Sequence, residues 1–194
     1  MAVRPKILVF SGSIRAESFN ARLAALAVKA IALRDGEPTL ISLADYPMPI
    51  YDGDLEKAEG VPEAGRRLHD LMIAHAGVFI ASPEYNQSVT PLLKNTIDWV
   101  SRIRPDGPRA PTPWKDRIFA LGGASPGYFG ATRSLAHLRH ILTMSLGAWV
   151  LPDQVSVPSA STAFAPDGAL ASERAQAQLD GVVARLIEEA ARRT

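Results

Sequence analysis

Five short apolar runs, Ile7 to Phe10, Thr39 to Leu43, Val78 to Ala81, Arg117 to Gly122 and Ala148 to Leu151, alternate with longer stretches whose apolar residues recur at helical spacing. Runs of this length suit strands, and the intervening stretches are long enough to cross back over a sheet. Strand and helix in repeated alternation imply an α/β fold with a mostly parallel sheet. The helical stretches are 20–33, with Leu23, Leu26, Ala27, Ala30 and Ile31 on one face, and about 63–76, with Leu68, Leu71, Met72 and Ala76. Three more cover 91–102, 132–146 and 172–192, so the expectation is five strands and five helices. Asp35-Gly36 stops the first helix and Ser172 caps the last. Residues 44–60, with Pro47, Pro49 and Gly53, read as a long surface loop near the sheet edge, and 152–168 as irregular. Pro105, Pro108, Pro111 and Pro113 exclude helix and central strand between them, because each proline removes an amide donor.

Composition narrows the function classes. At 194 residues, with no charge block, repeat or low-complexity linker, residues 1–194 read as one domain. A net charge of +1, with basic residues scattered along the chain, gives no reason to expect nucleic acid. The absence of cysteine excludes disulfides, thiolate catalysis and cysteine metal sites, so any redox chemistry needs a bound cofactor. Met1 to Lys6 has no apolar signal core, and no apolar run reaches membrane-spanning length; a cytoplasmic protein without a membrane span is the expectation. His69, His75, His137 and His140 make no metal set, since the close pair His137 and His140 has no third ligand in view.

Chemistry concentrates in three turns that would gather at the carboxyl end of such a sheet, where ligands bind in open α/β folds. The first, Ser11 to Asn20, offers hydroxyls, the Arg15 guanidinium and a helix amino terminus, a combination suited to phosphate. It is not a Walker loop, a dinucleotide fingerprint or a nucleophile elbow. Ser11, Ser13 and Ser18 can equally serve only as turn and capping residues. The second, Ser82-Pro83-Glu84-Tyr85-Asn86-Gln87-Ser88, follows an apolar strand and precedes a helix at Pro91, and suits a flat, heteroatom-rich ring better than a metal or a nucleophile. In the third, Gly122-Gly123-Ala124-Ser125, the glycines are either a tight strand exit or a place where backbone approaches a planar ring.

The three motifs together, Gly12-Ser-Ile-Arg15-Ala-Glu-Ser18-Phe-Asn20, then Ser82 to Ser88 with Pro91-Leu-Leu-Lys94-Asn95-Thr-Ile-Asp98-Trp99, then Gly122 to Ser125, resemble the NADPH-dependent FMN reductase family in order and spacing over nearly the whole chain. The resemblance implies a flavodoxin-like three-layer α/β/α sandwich with a five-stranded parallel sheet, FMN as cofactor, and NADPH or NADH as electron donor. It implies that Ser11, Ser13, Arg15, Ser18 and Asn20 hold the phosphate and ribityl end. Pro83, Glu84, Tyr85 and Asn86 border the ring with Ser88 nearby, and Gly122, Gly123 and Ser125 close its pyrimidine side. The acceptor it implies is a quinone, flavin, azo compound or chromate, served by a ping-pong mechanism in which no side chain is a catalytic acid or base. Arg15 or Arg102 would meet an adenosine phosphate of the donor. The assembly is a homodimer or a tetramer built from dimers, with the helix 91–102 at the subunit contact, and Tyr128 and Phe129 line the cleft or touch a second subunit. Two rivals stand beside this reading: a flavodoxin-type electron carrier that binds FMN without nicotinamide turnover, and a phosphate-binding hydrolase built on the first loop.

Overall fold

Residues 4–107 and 110–193 are described by a computed structural model. Met1 to Val3 of the amino-terminal stretch and Pro108 of the proline-rich loop lie outside them. Strands β1 (Lys6–Ser11), β2 (Glu37–Ile41), β3 (Gly77–Ala81), β4 (Ile118–Ala124) and β5 (Trp149–Val157) form one parallel sheet in the order β2-β1-β3-β4-β5. The helices are α1 (Phe19–Ala32), α2 (Gly53–Glu59), α3 (Glu63–Ile73), α4 (Pro91–Val100), α5 (Thr132–His140) and α6 (Glu173–Ala191). This is the flavodoxin-like order, whose ligand crevice lies at the β1/β3 switch point.

The side-chain period of two divides each central strand between two cores. Ile7 and Val9 of β1, Phe79 and Ala81 of β3 and Ile118 and Ala120 of β4 pack against Leu23, Ala27 and Ile31 of α1 and Leu179, Val183 and Leu186 of α6. Leu8, Phe10, Val78, Ile80, Phe119 and Leu121 face the other way, onto Leu68 and Met72 of α3, Leu93 and Ile97 of α4, and Leu135 and Leu138 of α5. Because both faces are covered, these strands are continuous apolar runs without polar alternation. Each fully buried aliphatic or aromatic side chain contributes roughly 1.5–3 kcal/mol.

Three elements differ from the sequence expectation. Within the supposed loop 44–60, Gly53–Glu59 is helical with no buried residue, held at its start by Asp52, whose carboxylate accepts from Asp54 N at 2.8 Å, and ended by Gly60 at φ 76°. Strand β5 runs on through Pro152 to Val157, because the register against β4 shifts between Phe119 and Leu121 and the proline falls in that irregularity. Arg139 supports it by donating to the carbonyls of Leu151 and Pro152 and to Gln154 Oε1. The stretch 132–146 is α-helical only to His140, and Ile141–Ser145 continues as a wider π turn.

One side of α4 is covered by its own chain. Asn95 accepts from Tyr51 N and donates to the Pro49 carbonyl, both at 2.8 Å, and Trp99 Nε1 donates to the same carbonyl at 2.7 Å. Tyr51 packs edge-on against Trp99 and donates its hydroxyl to Glu56, which also accepts from Arg102 Nε. Donating to Glu56 raises the Tyr51 hydroxyl above its ordinary pKa; the same bond, with Arg102, holds Glu56 low. Arg102 is thus engaged just beyond the carboxyl end of α4, with about 15 Å of helix between it and the α4 amino terminus. The accessible side of α4 carries Pro91, Leu92, Lys94 and Asp98, of which Lys94 and Asp98 pair at 2.7 Å.

Candidate functional site

The cofactor-sized cavity lies where the chain turns at the carboxyl ends of β1, β3 and β4. About 330 Å³ is enclosed by Ser13, Arg15, Ser18, Phe19, Asn20, Pro83, Glu84, Tyr85 and Ala124 to Pro126. A second hollow of about 450 Å³, walled by Ile14, Thr90, Pro91 and Leu92, shares Ser13, Arg15 and Tyr85 with it. Ile14 and Tyr85 are half-exposed at this mouth, so apolar surface is presented there to whatever enters.

The β1-to-α1 loop is built from its own hydroxyls. Ser11 Oγ accepts from Ser13 N at 3.2 Å, Ser13 Oγ from Arg15 N at 3.3 Å, and Ser18, the N-cap of α1, from Ala21 N at 3.3 Å. So the capping roles do hold, yet they leave the amides of Phe19 and Asn20, which by position have no intrahelical acceptor. The first turn of α1 holds no acidic residue, so its positive end is uncompensated. Arg15 adds a full charge there, its guanidinium donating to the Glu17 carbonyl at 2.9 Å and resting 5.7 Å from the Phe19 ring centre. These donors fit a phosphate.

The ring-side turn is fixed by backbone geometry. Tyr85 and Ser88 exchange both backbone hydrogen bonds at 3.0 Å, with Asn86 at φ 48° and Gln87 at φ 65° between them. Two successive left-handed residues are what a type I′ turn requires, and asparagine tolerates that region well. Glu84 points away from solvent: its Oε2 accepts from Arg133 N and Ser134 N, both at 3.1 Å, in the first turn of α5. That helix has no side-chain cap of its own, since Ala131 precedes it at φ 66°. Glu84 therefore caps α5 across 49 residues of sequence. Ser82 and Ser134 hydroxyls, buried and 3.0 Å apart, complete the junction, and Ser134 also donates to the Pro83 carbonyl at 2.7 Å.

The remaining expected residues are distributed unevenly. Asn20 lines the cavity, but its amide is largely committed, donating to the Ala124 carbonyl and accepting from Ala124 N at 2.9 Å each. Ser125 also lines it; its amide is taken by the Val157 carbonyl, and its Oγ accepts from Gly127 N, leaving the hydroxyl proton to donate. Ser11 sits behind the loop, 7% exposed, against a separate hollow with Leu40 to Ser42. Asn86, Ser88, Gly122 and Gly123 do not line the cavity. Ser88 turns to the α5 side, its hydroxyl 3.1 Å from His137 Nδ1. A Cβ on Gly122 would meet the Phe79 ring at 2.9 Å, and one on Gly123 would meet Ala131 at 2.8 Å and the Ser82 carbonyl at 2.9 Å. The glycine pair serves close packing inside β4.

Two residues outside the expected set organise the site. Thr90, buried at the α4 N-cap, donates to the Gly12 carbonyl at 2.7 Å and accepts from Leu93 N, while Gly12 N donates to the Ala81 carbonyl. The signal was present in the sequence, because threonine followed by proline at the first helical position is a helix start. Phe19 forms part of the cavity wall and is backed by a parallel Phe164 ring at 6.2 Å. Among the described residues no group of three His, Asp or Glu is placed to hold a metal, and no helix is long and apolar enough to cross a membrane.

A doubly wound sheet with a phosphate-fitting loop and a rigid ring-sized turn at its switch point defines a protein of the flavodoxin-like class. Residues 5–162 match the model of the NADPH-dependent FMN reductase family, and the chain belongs to that family. It is 37% identical over 142 residues to a quinone reductase of Escherichia coli, covering 73% of this chain and 71% of that protein. To an NAD(P)H-dependent FMN reductase of Pseudomonas aeruginosa it is 37% identical over 172 residues, 88% of this chain and 87% of the relative. Among solved structures, FerB, a flavoenzyme NAD(P)H:(acceptor) oxidoreductase from Paracoccus denitrificans, superposes with a TM-score of 0.73 at 30% identity, over 97% of this chain and 98% of that one.

Proposed function

We propose that this chain is an NAD(P)H-dependent FMN oxidoreductase that passes electrons from the nicotinamide donor to a quinone or similar small acceptor. The observation that carries the reading is one cavity with a phosphate-fitting loop at one end and the Pro83–Tyr85 turn at the other. The α1 amides, Ser13, Ser18 and Arg15 hold the phosphate. Pro83 to Tyr85 would border the ring through backbone and the Tyr85 side chain, with the Ser125 hydroxyl proton available to its edge. When bound, FMN supplies the hydride acceptor and the one- or two-electron donor that the side chains lack. The protein orients the reactants.

Donor and acceptor take turns at the open face of the cavity, between Tyr85 on one side and Ser125 and Pro126 on the other, which is a ping-pong order. The same open face admits quinones, flavins, azo compounds or chromate. A second copy of the chain covers the mainly apolar hollow of about 500 Å³ formed by Val89, Pro91, Lys94, His137, His140 and Ile141, giving a dimer or a tetramer of dimers. The whole chain acts as one FMN-binding unit in the cytoplasm.

The test is direct: purified protein is expected to be yellow and to oxidise NADPH or NADH in steady state with a quinone. A colourless protein refutes FMN binding. A yellow protein without nicotinamide turnover leaves an electron carrier instead.

A further inference from the structure

On the far side of the β4-to-α5 loop lies a hollow of about 420 Å³ that the FMN site does not use, lined by Tyr128, Phe129, Thr132, Ser156, Pro158, Ser172, Arg174, Ala175 and Gln178. We propose that it seats the adenosine end of the nicotinamide donor, with the purine on Tyr128 and the 2′-phosphate of NADPH on Arg174. The proposal rests on the oxidoreductase reading for the identity of the ligand, and on the following features for its place.

Position comes first. The same loop gives Ser125 and Pro126 to the FMN cavity and Tyr128 and Phe129 to this hollow. Only Gly127 separates the two walls, at most about 7 Å of chain from Pro126 to Tyr128. A dinucleotide whose nicotinamide lies against the Ser125–Pro126 rim of the FMN cavity, outside the space that FMN fills, reaches the hollow by crossing that ridge.

Chemistry comes second. Tyr128 is 85% exposed and stands nearly perpendicular to Phe129, with ring centres 5.6 Å apart, so most of its ring surface is open to stacking. Phe129 differs, because the Arg133 guanidinium lies 4.1 Å over its ring and is tied to Glu84 at 3.8 Å. Arg174 is exposed and, among the described residues, has no ion-pair or hydrogen-bond partner; Glu173 beside it does not line the hollow. Hydroxyls of Thr132, Ser156 and Ser172 and the Gln178 amide complete the rim, although Ser156 already donates to the Gly130 carbonyl at 2.8 Å. A stacking ring beside an uncommitted guanidinium and a polar rim matches a nucleotide bearing an extra phosphate.

The FMN-loaded protein is titrated calorimetrically with 2′,5′-ADP and with 5′-AMP, neither of which carries nicotinamide. Wild type is expected to bind 2′,5′-ADP more tightly. Arg174→Gln is expected to weaken 2′,5′-ADP about fivefold and leave AMP unchanged, the scale of an exposed charge contact. Tyr128→Ala is expected to weaken both, and both variants should retain FMN as wild type does. The KM for NADPH is measured in parallel with a quinone acceptor. Fragment affinities and NADPH KM within twofold of wild type in both variants, with turnover intact, overturn this seat and leave the oxidoreductase reading standing. Fragment binding that responds to both variants in a protein without NADPH turnover supports the seat and refutes the oxidoreductase reading. Failure of wild type to bind either nucleotide overturns the seat.

Discussion

Replacing Glu84 with alanine separates the ring-side turn from α5, and its cost follows from the geometry. The carboxylate side chain is 12% exposed and accepts two amides at 3.1 Å from the first turn of a helix that has no other side-chain cap. Loss of an N-cap costs about 0.5–2 kcal/mol. Loss of the negative charge at the positive end of a helix adds about 0.3–1 kcal/mol. The sum is about 1–3 kcal/mol, which for a domain of this size lowers the melting temperature by roughly 2–12 °C. Glu84→Gln keeps an acceptor but removes the charge, so it is expected to lose only the second part. Urea denaturation of wild type and both variants measures the order directly, and FMN affinity is expected to fall with it as the Pro83–Tyr85 wall loosens. Glu84→Ala as stable as wild type, or Glu84→Gln no better than alanine, would refute a charged cap acting across the two elements.

Three other outcomes are expected. Arg15→Ala should weaken FMN retention about tenfold or more, as befits a charge-assisted contact to phosphate, read by fluorescence titration; unchanged affinity would remove Arg15 from the phosphate site. Gly123→Ala should cost about 1–3 kcal/mol in chemical denaturation, because its Cβ meets Ala131 and the Ser82 carbonyl inside β4. His75 is buried between the Leu71 carbonyl and the Thr39 hydroxyl, and burial holds its pKa below the ordinary 6.5. The unfolded chain then takes up a proton first, so the stability it contributes is present above pH 6.5 and is lost as pH falls toward the lowered value. A His75→Gln variant should lack that component, measured as unfolding free energy between about pH 7 and pH 5.

The fold was legible where one element carried its own signal. The apolar run 78–81 lies within β3, and the helix expected over 20–33 is α1 at Phe19–Ala32, since Ser18 and the Leu23-to-Ile31 stripe need nothing from elsewhere. Helix α2 escaped notice because its seven residues have no apolar face and depend on Asp52 and Gly60 at the ends. The site divides in the same way. Ser13, Arg15, Ser18, Pro83 and Tyr85 fall on the cavity wall because local turn chemistry puts them there. The roles of Glu84 in capping α5 and of Asn20 in pairing with Ala124 depend on partners 49 and 104 residues away. No local pattern encodes such a partner. The glycine pair was ambiguous for the related reason that what a Cβ would strike is set by Phe79 and Ala131, contributed by other elements.

The Thr90 contacts make the two ends of the cavity inseparable as parts. One hydroxyl closes the start of α4 and grips Gly12, whose amide is anchored to the end of β3, so the phosphate loop and the segment entering α4 share a single fastening. Anyone transplanting or recombining this cavity inherits that linkage. A phosphate loop exchanged for that of a relative will keep its alignment with the ring wall only if Gly12, Ala81 and Thr90 travel with it as one cassette.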